Sequence, residues 1–187
     1  LRYQMATGTT AILPAGSPLA REEFLAIGEV DGTGAEVRIY LASPISKEDI
    51  EKIFDGFITE EEEIKWNPKE ASVTSRKILR LGAIIISEKQ IKPQGKKVIS
   101  ALIDGIKESG LDCLPWDKDS RSLQQRNEWL RKNKKLIGLP DLSDANLITT
   151  MEQWLAPSLN GIWKKEQLKE LDLSVILKSY ITHSLYN

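Results

Sequence analysis

The chain has 187 residues, a formal net charge of −1, and 41% hydrophobic against 28% charged residues, which excludes a disordered or polybasic protein. Its longest apolar run, Gly82-Ala83-Ile84-Ile85-Ile86, is strand-sized and far short of the roughly 20 residues of a membrane-spanning helix. The single cysteine, Cys113, excludes an internal disulfide framework. No charged-then-apolar leader precedes the first strand-like run, so the cytoplasm is the expected compartment, with no membrane partner. Leu1-Arg2-Tyr3-Gln4 opens without a methionine, and the chain reads as a piece of something longer.

Residues 1–93 hold 12 Lys/Arg against 15 Asp/Glu, and residues 94–187 hold 14 against 12. Neither half supplies a long-range field for nucleic acid, so such a role has to rest on local patches.

The first half has strand composition. Arg2 to Leu13 and Phe24 to Val30 are two runs separated by Pro14, Gly16, Ser17 and Pro18. Asp31-Gly32-Thr33-Gly34 then turns the chain into Val37-Arg38-Ile39-Tyr40-Leu41, whose alternation puts Val37, Ile39 and Leu41 on one face and Arg38 and Tyr40 on the other. Ser46 is an N-cap for a short helix carrying Ile50, Ile53, Phe54 and Phe57 and ending near Gly56. An acidic strand from Ile58 to Trp66, a turn at Asn67-Pro68-Lys69-Glu70 and a long strand from Ala71 to about Ile86 complete the order β-β-β-α-β-β. That order predicts an α+β chain beginning with a five-stranded OB-type barrel over residues 1–93.

Beyond Pro93 and Gly95 the apolar period becomes helical, which predicts an α-helical bundle over residues 94–187. Val98, Leu102, Ile103 and Ile106 mark a first helix stopped at Ser109-Gly110. A basic helix from Asp119 to Lys135 has Leu123, Trp129 and Leu130 as core candidates. A third begins at Ser143, buries Leu147, Ile148, Met151, Trp154 and Leu155, and stops at Pro157. A fourth runs from Lys164 or Leu168 to about Tyr180.

No phosphate loop, Gly-x-Ser-x-Gly elbow or His-Glu-x-x-His motif occurs, so nucleotide hydrolysis by the usual loop is excluded within this chain and no catalytic residue or metal ligand is expected. His183 reads as a solvated residue near the end of the chain, and Cys113 as a small core filler. Gly32-Thr33-Gly34 leads into a strand, not a helix, so it is a turn and not a dinucleotide fingerprint. The run Glu60-Glu61-Glu62-Glu63 reads as edge protection.

Binding chemistry is what survives. Arg38 and Tyr40 pair a cation with a stacking ring; Lys65, Trp66 and Lys69 crowd the turn after the acidic strand; Arg76, Lys77 and Arg80 follow on the long strand. The basic helix adds Arg126, Arg131, Lys132, Lys134 and Lys135; phosphate contact is one reading of these cations, and solvated faces or surfaces that dock against another domain are the other. Trp116, Trp129, Trp154 and Trp163 are expected in the core.

The stretches 26–39 (Ala26 to Ile39), Arg80-Leu81-Gly82-Ala83-Ile84, Cys113-Leu114-Pro115-Trp116, Pro140-Asp141-Leu142-Ser143-Asp144 and 154–161 (Trp154 to Gly161) resemble HrpB, a family of bacterial DEAH-type ATP-dependent RNA helicases. The resemblance covers nearly the whole chain in order. It implies a C-terminal fragment, with the motor lobes, ATP and Mg upstream and no cofactor in the fragment itself. Single-stranded RNA or DNA, the upstream helicase domains and a protein partner are the implied contacts. The expected function is nucleic-acid contact and docking to the motor, the alternative being a protein-interaction module. None of the family's catalytic residues matches a position here.

Overall fold

The computed structural model describes residues 1–133, 135 and 138–186. It divides into two compact units: Leu1–Glu63 with Arg76–Gln90, and Ile64–Ser75 with Ile91–Asn187.

In the first unit, β1 (Arg2–Gln4), β2 (Thr10–Ile12), β3 (Leu25–Asp31) and β4 (Glu36–Pro44) form one sheet in the order β1-β2-β4-β3. After α1 (Lys47–Ile53), β5 (Ile58–Asn67), β6 (Ser72–Leu81) and β7 (Ile84–Ile91) form a second sheet in that order, of which residues 64–67, 72–75 and 91 belong to the second unit. The five-stranded closed barrel is therefore corrected: among the described residues there are seven strands in two sheets, and no ladder closes them.

Two glycine turns account for the two extra strands. A turn at residues 5–9, where Gly8 takes φ +94°, splits the first run and folds β1 back on β2. Gly82, at φ +57°, splits the long run into β6 and β7. A Cβ at Gly82 would lie 2.2 Å from the Ala6 carbonyl oxygen, which accepts the Ala83 N–H at 3.0 Å. Only glycine meets both demands, and this bond ties the β6–β7 turn to the β1–β2 turn.

The β3–β4 hairpin forms as expected around Gly32 and Gly34, both at positive φ. Its faces change partway. Val30 opposes Ile39, Glu29 opposes Leu41 and Ile27 opposes Ala42, so Tyr40 and then Gly28 are unpaired bulge residues. Val37 and Ile39 are buried, but the extra residue reverses the alternation, leaving Leu41 62% exposed and turning Ala42 toward the small core instead. In α1 the Ser46 hydroxyl accepts the Asp49 N–H at 3.1 Å, a cap worth about 1 kcal/mol. Ile50 is buried; Ile53 and Phe57, expected beside it, are exposed.

The second unit holds the larger core. α2 (Lys96–Ser109) buries Val98, Leu102, Ile103 and Ile106 as predicted and ends at Gly110, φ +79°. A Cβ at Gly105 would lie 2.2–2.7 Å from the Trp66 ring, so the indole rests on the bare helix backbone. The 71–75 segment is also fixed to this unit: Val73 N–H donates to the Trp163 carbonyl at 2.7 Å and Lys165 N–H to Ala71 at 2.9 Å.

α3 (Lys118–Lys132) starts at a capping box, in which Asp117 accepts the Ser120 N–H at 2.7 Å and the Ser120 hydroxyl accepts the Asp117 N–H at 2.9 Å. Its buried face is polar. Ser120, Gln124 and Asn127 recur at helical spacing. Gln124 donates to the Leu142 carbonyl at 2.7 Å, Asn127 to that of Pro140 at 2.9 Å, and Glu128 accepts the Leu142 N–H at 2.9 Å. The helix thus satisfies an extended backbone segment running beside it. Of the expected core candidates, Leu123 and Leu130 are half-buried and Trp129 is exposed.

The third predicted helix is broken at Thr150 into α4 (Asp144–Thr149) and α5 (Met151–Trp154), the Thr150 hydroxyl donating to the Asn146 carbonyl at 2.8 Å. The fourth begins as a 3-10 helix, Lys165–Glu170, and continues as α6 (Leu173–Tyr186), whose Val175 N–H donates to the Asp172 carboxylate at 3.1 Å.

Gly105→Ala sets a helix-propensity gain of about 1 kcal/mol against an overpacking cost of about 1–3 kcal/mol, and a rigid ring at the contact puts the cost at the upper end. Chemical denaturation is expected to show a net loss of about 1–2 kcal/mol, recovered when Trp66→Leu is added. Equal or greater stability of the single variant would show that the indole does not hold this position.

Asp117, Asp141 and Asp172 are held below the ordinary value of 3.8. The causes are hydrogen bonds from Ser120, from Ser143 and from Ser174 respectively, with the charge of Arg131 adding to the effect at Asp141. Carboxylates depressed in the folded state stabilise it above the unfolded value, and that contribution is lost as pH falls through the lower folded value. The Tm gap between the parent chain and an Asp117→Asn/Asp172→Asn variant is therefore expected to stay constant from about pH 7 to 5 and to close in stronger acid. A gap that narrows by pH 5 would contradict this assignment.

Candidate nucleic-acid interface

The eight residues expected to contact nucleic acid are divided between the units. Arg38, Tyr40, Arg76, Lys77 and Arg80 lie in the first; Lys65, Trp66 and Lys69 lie in the second.

On β4, Arg38 is exposed and the Tyr40 ring is 71% exposed at its bulge, with no ion pair on Arg38 among the described residues. The outward placement of Tyr40 follows the strand alternation, and the bulge leaves its backbone unpaired in the ladder.

The β6 cations are otherwise engaged. Arg76 binds Glu63 at 2.8 Å and also the Glu88 carboxylate; Lys77 binds Glu60 at 2.7 Å and Arg80 binds Glu61 at 3.2 Å. The Glu88 hydrogen bond, with the neighbouring carboxylate charges, raises the Arg76 pKa further above its ordinary value. The acidic run on β5 thus faces cations in place of bare solvent. These pairs are half-exposed and contribute little to stability, but they neutralise the positive charge a phosphate needs.

Trp66 is half-buried, its ring packed against Gly105 and the helical core. Lys65 and Lys69 are exposed, and the Asn67 side chain accepts the Lys69 N–H at 3.1 Å, closing the turn.

On α3, Arg121 is spent on Asp112 and Asp144 and lies 3.9 Å over the Trp116 ring; Arg131 is spent on Glu128 and Asp141. Arg126 and Lys132 are exposed and make no ion pair among the described residues; Lys135 is also exposed, and Lys134 lies outside them. His183 is exposed on α6, and Cys113 is half-buried against the helical core, where burial pushes its thiol pKa up and away from reactive thiolate character.

A cleft of about 920 Å³ in the first unit has no counterpart in the sequence pattern. Tyr3, Met5, Leu25, Ile27, Phe54 and Ile84 are among its lining, so it suits an apolar side chain better than a phosphate. Among the described residues no group of three or more His, Cys, Asp or Glu could hold a metal ion, and no helix is long and apolar enough to cross a membrane.

No protein-family model matches the chain. It is 25% identical over 183 residues to the ATP-dependent RNA helicase HrpB of Escherichia coli (strain K12), a match covering 96% of this chain and 23% of that protein. The chain therefore spans about a quarter of the length of the curated relative it matches. Two solved structures are also similar: the E. coli DExH-box NTPase HrpB, at 24% identity over 95% of this chain and 22% of the other with a TM-score of 0.46, and the E. coli DEAH/RHA helicase HrpB, at 22% identity over the same shares with a TM-score of 0.47. Along nearly its whole length the chain is similar in sequence to a stretch of an HrpB-type RNA helicase, as its motifs anticipate.

Proposed function

We propose that the chain is a non-catalytic C-terminal accessory segment of an HrpB-like ATP-dependent RNA helicase, contributing nucleic-acid contact and docking to motor domains encoded elsewhere in the same parent. The observation that carries this reading is the sequence match to HrpB over 96% of the chain, combined with the absence from the sequence of a phosphate loop. ATP and Mg belong to the motor in this reading. The strand-strand-helix-strand-strand order of β3 to β6 about α1 supports an OB-type origin for the first unit, in open form. Of the eight candidate contacts, Arg38, Tyr40 and Lys69 carry the proposal, because the β6 cations are neutralised and Trp66 is packed.

A second reading, a protein-interaction module, is favoured by the apolar cleft of the first unit. Substitution of its lining, as in Ile84→Glu, would then release a co-purifying protein without changing RNA affinity.

Few phosphate contacts give weak binding with a shallow salt dependence. Titration of the purified chain with labelled single-stranded RNA at low salt is expected to give measurable binding that falls as salt is raised, with no ATP hydrolysis. Absence of binding at low salt would remove the nucleic-acid part, and ATP turnover by the chain alone would remove the accessory reading.

A further inference from the structure

We propose that the solvent face of α3 is a single-stranded nucleic-acid contact in which Trp129 stacks on a base while Arg126 and Lys132 hold the flanking phosphates. The proposal rests on the helicase-accessory reading and specifies its contact surface.

The starting observation is the placement of the tryptophans. Trp66 lies on Gly105; Trp116 donates its ring N–H to the Leu111 carbonyl at 2.9 Å and sits under Arg121. Trp154 donates to the Leu147 carbonyl at 2.8 Å from full burial, and Trp163 packs on the helical core with Lys164 at 4.4 Å from its ring. Each of these four has a structural use. Trp129 is 58% exposed, and its ring N–H makes no hydrogen bond to a described residue. More than half of the indole is therefore open to solvent and accessible to a ligand.

Its neighbours define the ligand. Positions 126, 129 and 132 are three apart and share one helix face, placing Arg126 and Lys132 on either side of the indole and about 9 Å apart along the axis. Both are exposed and make no ion pair among the described residues, with the charge of Lys132 reaching the Asp141 carboxylate only at longer range. The other arginines of α3 are consumed by Asp112, Asp144, Glu128 and Asp141. The helix dipole accounts for Lys132 in the last turn, but not for Arg126 or Trp129.

The rest of the face is Ser122, Gln125 and Asn133, with no second exposed apolar side chain on α3. A protein-docking patch needs an apolar centre larger than one ring. One ring flanked by two exposed cations in a polar setting is the arrangement that takes a base and its phosphates, with little dependence on base identity. The buried face of α3 is committed to the 140–144 segment through Gln124, Asn127 and Glu128, so the exposed face is held in fixed orientation.

The test is fluorescence anisotropy of the whole chain with an end-labelled oligouridylate of about 12 nucleotides, at several salt concentrations. Trp129→Ala is expected to weaken binding about 10-fold with an unchanged salt slope, and Trp129→Phe to restore most of it. Arg126→Ala/Lys132→Ala is expected to weaken binding and to make the log–log salt slope shallower by about 1.4, two phosphate contacts at about 0.7 each. Thermal melts of all variants should match the parent, because the substituted side chains are exposed. If the parent binds and every α3 variant binds equally well, the α3 contact is overturned while the accessory reading stands. If the parent itself does not bind, the nucleic-acid part of both falls. Loss of a co-purifying protein with unchanged RNA affinity would overturn the assignment of the ligand.

Discussion

The indole of Trp66 fills the space that any side chain at position 105 would need, and the helical unit is built around that approach. A ring laid on bare backbone brings β5 closer to α2 than two ordinary side chains would allow. The neighbouring strand end is then held by backbone bonds between Ala71, Val73 and the 163–165 segment. The turn between them carries the cost: Ala71 takes φ +47°, a left-handed conformation worth roughly 1 kcal/mol of strain for a residue with a Cβ. That strain persists because packing on one side and hydrogen bonds on the other determine the position. It follows that β5 and β6, at ten residues each, run longer than a typical strand, because their ends at 64–67 and 72–75 serve a different core from their bodies.

Charge is distributed by the same economy. The four consecutive glutamates of β5 look like a liability in one dimension; in the folded chain three of them are the counterions of Arg76, Lys77 and Arg80. Pairs this exposed add little stability, but they decide which cations remain available. After the β5–β6 pairs and the ion pairs of Arg121 and Arg131 are formed, Arg38 near Tyr40 in one unit and Arg126 and Lys132 near Trp129 in the other are exposed cations without an ion pair among the described residues. A composition with net charge near zero hides this, because pairing and exposure, not totals, set the local field.

What the linear pattern discloses are features fixed by near neighbours. The Ser46 cap, the Gly32–Gly34 turn, the apolar stripe of α2 and its stop at Gly110 all depend on residues within a few positions of each other, and all four are present. What it conceals depends on partners distant in sequence. Tyr40 and Gly28 become bulges only once β3 and β4 are in register, and that shift is why Leu41 faces water. Gly82 ends β6 because the Ala6 carbonyl lies against it. Trp129 has the spacing of a core residue on α3, but the opposite face is claimed by amide side chains bonding the 140–144 backbone, an arrangement with no apolar signature at all. A contiguous division near Pro93 likewise has no means of assigning residues 64–75 to the helices.

The proposed contact surface is a weak one, and in the proposed parent weakness is no defect. One stacking ring and two or three phosphate contacts give an affinity that salt readily erodes. Tethered to a motor that already holds the same strand, the second contact becomes intramolecular, with an effective concentration on the order of millimolar for a short connection. At that concentration a contact with a dissociation constant below millimolar would be occupied most of the time, and its weakness would let the strand advance. A tighter surface, with the β6 cations also unpaired, would hold the strand against the motor. The neutralisation of β6 by β5 is therefore consistent with a module that guides a strand and does not grip it.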